Sequence, residues 1–251
     1  MSQIEFRLLG PVGVWREGAP LGPTTPQQCS ILAMLLLDMN RVTSMERMLQ
    51  ALWGERPTES ARNAVQGYVS KLRRILAPFP EVEITTSPQG YSLKANKEQV
   101  DLYRFRRLTG IAQDTHAAHA SELLLEALEL WQGPALTGVA GQWLPCRIGV
   151  HMEEERLSAL EEYAAALIEV GRLHEAVVEL MPLAVEHPLR ERAASLLMAA
   201  LHRSGRRADA LTVFHDTRHH LVRELGVEPG SVLLRTHQQV LRDRLEAPHG
   251  S

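Results

Sequence analysis

One amphipathic segment, residues 61–76, limits most strongly what this chain can fold into. At about 100° per residue, three further apolar side chains fall within about 40° of Val65 on one side of a helix: Val69, Leu72 and Leu76. The opposite side is polar and basic and contains no acidic residue. Because a helix that is only solvated usually mixes both signs of charge, this pattern predicts one buried face and one face that offers donors to a phosphate-lined groove.

Short strands are predicted on both sides of the helices that include this segment. Apolar runs at 4–9 and 12–15 predict an antiparallel pair, and a third strand is expected at Leu21. Farther along, alternating segments at 82–86 and 91–94 predict a β-hairpin. The hairpin turn has the composition of a tight turn, Ser87-Pro88-Gln89-Gly90.

Three helix starts lie between these strands. Thr25 suits the N-cap and Pro26 the first position of a buried, Leu-rich helix. Ser44 suits the N-cap of a second helix, and Thr58 or Ser60 that of the third. The resulting order, β-β-(β)-α-α-α-β-β, is that of a helix-turn-helix followed by a wing.

Beyond residue 98 the sequence predicts helices almost throughout. They are expected near 101–113, 117–131, 149–170, 173–186, 190–204, 207–223 and 230–245. The charge also changes sign, from eleven Lys/Arg against eight Asp/Glu in 1–97 to sixteen against twenty-two in 98–251. We therefore expect a mostly α fold with small β-sheets. Residues 1–97 would form a winged helix-turn-helix DNA-binding domain, 98–246 an all-α tetratricopeptide-like domain, and 247–251 a frayed tail.

An internal repeat supports the helical second half. The pattern Gly171-Arg172-x3-Ala176-x3-Leu180 recurs 34 residues later as Gly205-Arg206-x3-Ala210-x3-Phe214. This spacing is the tetratricopeptide period, in which glycine occupies the turn between two helices and alanine the point where they touch. Two unrelated Gly-Arg turns in an Ala-rich protein are the alternative.

The donor-rich face of 61–76 supplies the candidate DNA contacts. Amides pair with adenine and lysine reaches guanine acceptors, so base contacts are expected from Asn63, Gln66 and Lys71. Phosphate contacts are expected from Arg62, Ser70, Arg73 and Arg74. Gly67 lies at the centre of the face, where a missing side chain would let the backbone approach the base pairs; simple tolerance of an exposed glycine is the alternative. In the wing, Gln89 and Lys94 are expected near the minor groove, and the helix start at Thr25 near a phosphate.

Other function classes find little support. The sequence has no nucleophile elbow, phosphate-binding loop or zinc spacing, so we expect no enzyme, cofactor or metal site. His215, His219 and His220 are more simply exposed helix residues than metal ligands, and Glu153-Glu154-Glu155 a solvated helix face. Two distant cysteines, no signal peptide and no long apolar run predict a cytoplasmic protein without membrane contact. Its expected DNA binding would make it nucleoid-associated.

Several motifs in order resemble one family over residues 4 to about 245. The segments Leu52-Trp53-Gly54, Ala64-Val65-Gln66-x-Tyr68-Val69-Ser70-Lys71-Leu72-Arg73-Arg74 and Gly90-Tyr91-x-Leu93 resemble the OmpR/PhoB-type winged helix. The segments Leu130-Trp131-x-Gly133-x-Ala135-Leu136 and Glu224-Leu225-Gly226-Val227-Glu228-Pro229 resemble a bacterial transcriptional activation domain. Together they resemble the Streptomyces antibiotic regulatory protein family, as a small stand-alone member.

The resemblance implies an activator of secondary-metabolite (antibiotic biosynthesis) genes. Such proteins bind tandem direct repeats of double-stranded DNA near the promoter −35 region, with a second protomer on the adjacent repeat, and recruit RNA polymerase with its principal sigma factor. It also implies that Trp53 and Arg73 lie near the DNA backbone and that Lys71 contacts the major groove. Relatives often have a basic residue at the position of Ser70. A tetratricopeptide-like interaction scaffold, or a ligand-sensing repressor with the same DNA-binding domain, are the alternatives.

Overall fold

The computed structural model describes residues 4–54 and 57–242. Their contacts form two compact units. The first contains the residues up to Leu108 together with Ala127–Glu155, and the second contains Thr109–Glu126 and the residues from Arg156 onward. The first unit is thus larger than the segment 1–97 predicted for the winged helix. The division at residue 97 stays a proposal, and the predicted tail 247–251 lies outside the described residues.

The first unit begins with an antiparallel sheet. Strands β1 (Ile4–Arg7), β2 (Gly13–Arg16) and β3 (Ala19–Gly22) lie in the order β1-β2-β3, with Phe6 opposite Val14. Alternate residues of β1 are buried, as the predicted amphipathic strand requires. The expected third strand at residue 21 is present as β3.

Three helices and a second sheet follow. They are α1 (Pro26–Leu37), β4 (Thr43–Ser44), α2 (Met45–Trp53), α3 (Ala61–Leu76), β5 (Glu83–Ser87) and β6 (Gly90–Lys94). The sheet order is β4-β6-β5, so the predicted hairpin β5–β6 gains a third, two-residue strand. This arrangement is the winged helix-turn-helix that the sequence predicts.

Only one of the three proposed helix caps forms as a side-chain hydrogen bond. The Ser44 hydroxyl accepts from the backbone N–H of Arg47 at 3.2 Å, as predicted. Thr25 and Ser60 occupy the N-cap positions of α1 and α3, but neither side chain caps its helix. The predicted placement of Thr25 at the N-cap and of Pro26 at the first helical position is confirmed, and Thr25 fills that position without a side-chain hydrogen bond.

A segment from the middle of the chain completes the first unit. The backbone N–H of Gln132 donates to Leu9 O at 2.7 Å, and that of Leu136 donates to Leu8 O at 2.9 Å. The N–H of Ala140 donates to Ser30 Oγ at 2.8 Å, inside α1. The segment 132–140 is therefore anchored through its own backbone to the two residues that follow β1 and to α1.

Seven more helices make the fold mainly α within the described part of the chain. Their bounds are α4 (Asp101–Gln113), α5 (Ala117–Glu129), α6 (Val150–Glu169), α7 (Leu173–Glu186), α8 (Glu191–Arg203), α9 (Arg207–Leu225) and α10 (Ser231–Arg242). A 3-10 turn, Lys97–Gln99, precedes α4, and a π turn, Pro145–Gly149, precedes α6. Across residues 4–54 and 57–242, no helix is both long and apolar enough to cross a bilayer.

The repeated motif has the same geometry at both of its positions in the second unit. Gly171 and Gly205 have φ values of 83° and 78°, and each precedes an arginine whose N–H donates 2.9 Å back to a leucine carbonyl. Ala176 and Ala210 are fully buried where their helices pack. Left-handed φ is costly for residues with a side chain, so glycine is the residue that permits both turns.

Candidate nucleic-acid interface

Helix α3 is held in place by its apolar face. The four residues of the predicted stripe have exposed fractions of 3% or less: Val65, Val69, Leu72 and Leu76. Helices α1 and α2 and strand β5 pack against α3. Each fully buried side chain of this size contributes roughly 1.5–3 kcal/mol to folding, so the orientation of α3 about its axis is strongly determined.

The opposite face of α3 presents the side chains that the sequence singled out. All of them are exposed, and none has a hydrogen bond or ion pair with another described residue: Arg62, Asn63, Gln66, Ser70, Lys71 and Arg74. No acidic residue of α3 interrupts them. The face therefore combines three cations with amide and hydroxyl groups, all with donors available to a ligand.

Gly67 is exposed at the centre of this face. A Cβ atom built on it would meet nothing within 4 Å, and its backbone is helical. Neither packing nor a special backbone conformation of the protein therefore requires glycine here. An approach of the α3 backbone to an outside surface remains a physical reason for it.

Arg73 differs from its neighbours, although it too is exposed. Its Nε and Nη2 donate to the carbonyl oxygen of Ile84 at 3.0 and 2.8 Å. Nη2 also donates to Thr86 Oγ1 at 2.7 Å. The guanidinium that was expected at a phosphate is thus bound to β5 of the wing.

The wing turn is anchored to the start of α2. The backbone N–H of Met45 donates to Gln89 O at 2.9 Å, while the side chains of Gln89 and Lys94 are exposed. A Cβ on Gly90 would lie 2.0 Å from Thr43 O, so glycine is needed where β4 and β6 approach. Glycine at position 90 therefore serves the close approach of β4 and β6 as well as the hairpin turn.

The two remaining predicted contacts lie at helix ends. Trp53 is the last residue of α2 and is half-buried. Thr25 is also half-buried, and its Oγ1 is buried without a hydrogen-bond partner among the described residues. Near it, Pro26 O accepts from the N–H of Ala140 at 3.1 Å. DNA contacts at both positions stay predictions.

The histidines considered for metal binding have other surroundings. The Nδ1 atom of His220 lies 3.1 Å from Glu224 Oε1 on the same helix. His215 lies edge-on to Phe214, whose ring stacks on that of His237 at 3.7 Å. Among the residues that the structure describes, no group of three or more His, Cys, Asp or Glu side chains is placed so that it could bind a metal ion.

The family comparisons match the two halves of the chain separately. Residues 21–93 match the family described as "Transcriptional regulatory protein, C terminal". Residues 100–241 match "Bacterial transcriptional activator domain". The first match contains α1–α3 and most of the wing, and the second contains α4–α9 and most of α10.

Similar proteins span most of this chain. The regulatory protein AfsR of Streptomyces coelicolor is 41% identical over 95% of the chain, which corresponds to only 24% of AfsR. The regulatory protein DnrI of Streptomyces peucetius is 32% identical, with 95% of this chain and 92% of DnrI covered. The structure of Mycobacterium tuberculosis EmbR in complex with a low affinity phosphopeptide superposes with a TM-score of 0.91 at 32% identity, over 97% of this chain and 66% of EmbR.

Proposed function

Because this chain belongs to the Streptomyces antibiotic regulatory protein family of transcriptional regulators, we propose that it activates transcription after binding a specific duplex DNA sequence. The observation that carries this proposal is the outward face of α3. It is exposed, contains no acid, and its donors have no partners within the described chain. Such a surface fits a major groove lined by phosphates and by base acceptors.

In the proposed complex, α3 lies in the major groove with Gly67 nearest the bases. Asn63, Gln66 and Lys71 contact base edges, since their amide and ammonium groups match the acceptors of adenine and guanine. Arg62, Ser70 and Arg74 contact phosphates and set the register. Gln89 and Lys94 of the wing contact the minor groove or its phosphates. Trp53 and the start of α1 at Thr25 add backbone contacts.

The second part of the proposal concerns what the bound protein does. Protomers bind side by side on tandem direct repeats near the −35 region, which needs no two-fold symmetric dimer. The helical domain then contacts RNA polymerase with its principal sigma factor. The target genes are proposed to serve antibiotic or other secondary-metabolite synthesis, as the family name suggests. The protein would act on the nucleoid.

Two alternatives use the same structure differently. A repressor would keep the α3 contacts but block the polymerase, with a small molecule bound among the helices as effector. An interaction scaffold would use the tetratricopeptide-like turns at Gly171 and Gly205 and would not need α3 at all. The donor face of α3, whose side chains have no partner among the described residues, favours a DNA-binding function over the scaffold.

Footprinting combined with transcription in vitro tests the proposal. The full chain is added to DNA from the neighbourhood of its own gene, with and without RNA polymerase holoenzyme. We expect protection of direct repeats and a polymerase footprint that strengthens when both proteins are present. Run-off transcript should rise with the wild type and rise less with Lys71→Ala at the same protein concentration, whereas Arg235→Ala, which removes an exposed cation of α10, should protect the DNA as the wild type does. Protection with lowered transcript would establish a repressor, and absence of protection would contradict DNA binding.

A further inference from the structure

We propose that Arg73 is a positioning residue that fixes the wing to helix α3, so that both contact DNA at one set relative position. The inference rests on the proposed DNA-binding function, but its first observable belongs to the free protein. It assigns to Arg73 a role different from the phosphate contact expected from the sequence.

The geometry of the guanidinium carries the proposal. Nε and Nη2 both donate to Ile84 O, at 3.0 and 2.8 Å, and Nη2 donates again to Thr86 Oγ1 at 2.7 Å. Hydrogen bonds from a charged donor are shorter and roughly twice as strong as neutral ones. The planar fork of arginine holds these donors at fixed angles, which lysine cannot reproduce.

The acceptor on β5 explains why a cation is useful at this point. The sheet order is β4-β6-β5, so β5 is an edge strand and part of its backbone lacks partners within the sheet. Arg73 supplies donors to one such carbonyl, that of Ile84. The edge of the wing is thereby joined to the helix that carries the candidate base contacts.

The other strand of the wing also lies within reach of Arg73. Its Cζ atom is 5.9 Å from the ring centroid of Tyr91, a buried residue of β6 that pairs directly with Thr86. A cation at this distance from an aromatic face is attracted to it. Arg73 therefore donates hydrogen bonds to β5 and lies over the aromatic ring of Tyr91 in β6.

Arg74 provides a matched comparison next to it. It lies on the same helix with the same charge, is exposed, and has no hydrogen bond to another described residue. Loss of either arginine removes one positive charge from α3. Only the loss of Arg73 removes the link to the wing.

Hydrogen exchange of the free protein tests the link. In Arg73→Ala, the protection of the β5 and β6 amides should fall about tenfold or more, since hydrogen bonds to charged groups contribute to stability. Arg73→Lys should not restore it, because the fork is lost. Thr86→Val removes one acceptor without changing the charge and should lower protection in the same direction. Arg74→Ala should leave protection unchanged. Unchanged wing protection in Arg73→Ala would overturn the proposal.

DNA binding supplies the second measurement. On a bound repeat, Arg73→Ala and Arg73→Lys should both lose hydroxyl-radical protection at the nucleotides under the wing while keeping protection under α3. Full recovery of DNA affinity and of wing protection in Arg73→Lys would overturn the proposal and assign Arg73 to phosphate binding. In that case the salt dependence of DNA binding should also be weaker in Arg73→Ala, with a slope lower by about one. If the wild type binds no DNA, the proposed function fails, and the exchange result still decides whether Arg73 fixes the wing.

Discussion

The carboxylate of Asp101 accepts hydrogen bonds from the backbone N–H of Leu8 at 2.9 and 3.0 Å, although the two residues are 93 positions apart. The same carboxylate accepts from Leu9 at 3.0 Å and from Leu102 at 2.7 Å. Asp101 is the first residue of α4 and is buried. It therefore ties the end of β1 to the start of the first helix beyond the wing.

This buried group predicts a pH-dependent stability. Burial raises the pKa of Asp101 from its ordinary 3.8 to about 6, although the backbone N–H donors and Arg7 act in the opposite direction. Because the pKa of Asp101 is raised in the folded protein, folding favours the neutral carboxyl. The contribution of Asp101 to the free energy of unfolding is therefore complete below pH 3.8 and is lost as the pH rises through about 6. The decline should amount to roughly 3 kcal/mol at most.

Urea unfolding of the wild type and of Asp101→Asn between pH 4.5 and 7.5 measures this contribution. The stability advantage of the wild type over the variant should shrink as the pH rises through this range. Parallel stability curves for the two proteins would show that Asp101 does not titrate there.

Gly67 gives a prediction in which stability and binding change in opposite directions. Gly67→Ala should raise the free energy of unfolding by about 0.5–1 kcal/mol, because alanine favours the helix and its Cβ meets nothing within 4 Å. If the backbone approaches the bases, the added methyl group should weaken DNA binding by roughly 1–3 kcal/mol. Thermal unfolding and a binding titration measure the two effects.

Gly110→Ala is the control for that pair of measurements. Gly110 lies within α4, and its Cβ also meets nothing within 4 Å. The substitution should stabilise the protein and leave DNA affinity unchanged. Equal affinity of the wild type and Gly67→Ala would mean that Gly67 is only a tolerated surface glycine.

Lys71 tests whether α3 distinguishes between sequences. Lys71→Ala should weaken binding to the cognate repeat by roughly 1–3 kcal/mol and reduce the preference over a scrambled duplex, because a base contact is lost. Arg74→Ala should weaken both complexes alike and lower the salt slope by about one. Titrations on both duplexes at several salt concentrations measure this. An equal loss on the two duplexes for Lys71→Ala would assign it to phosphate.

The helix caps predict unequal effects of two similar substitutions. Ser44→Ala should cost about 1 kcal/mol, since its hydroxyl caps α2 through the N–H of Arg47. Ser60→Ala should cost less, because its side chain does not cap α3. Chemical denaturation gives both values, and equal costs would contradict the difference in capping.

The repeated turns of the second unit predict matching costs. Gly171→Ala and Gly205→Ala should each lower the free energy of unfolding by about 1–2 kcal/mol, because both glycines have left-handed φ values that a residue with a side chain adopts at a cost. The added Cβ atom would meet nothing within 4 Å at either position, so no steric clash adds to this cost. Calorimetry of the two variants measures this. A clear difference between them would show that the two turns are not structurally equivalent.

Much of this architecture follows from local sequence patterns. The stripe from Val65 to Leu76 predicts both the existence of α3 and its buried side, and the 34-residue repeat predicts the turns at Gly171 and Gly205. These features depend on residues within a few turns of one another. Periodicity and turn chemistry therefore suffice to find them.

Other features depend on residues that are far apart in sequence and carry no periodic signal. The sequence by itself determined the order of elements, the side of α3 that is exposed and the donors on that side, because each depends on short-range spacing. Only the tertiary structure decided that Arg73 binds Ile84 in the wing, that Gly90 makes room for Thr43, and that Asp101 binds the end of β1. Each of these depends on chain segments meeting after folding, where backbone groups without partners in their own element find a partner elsewhere.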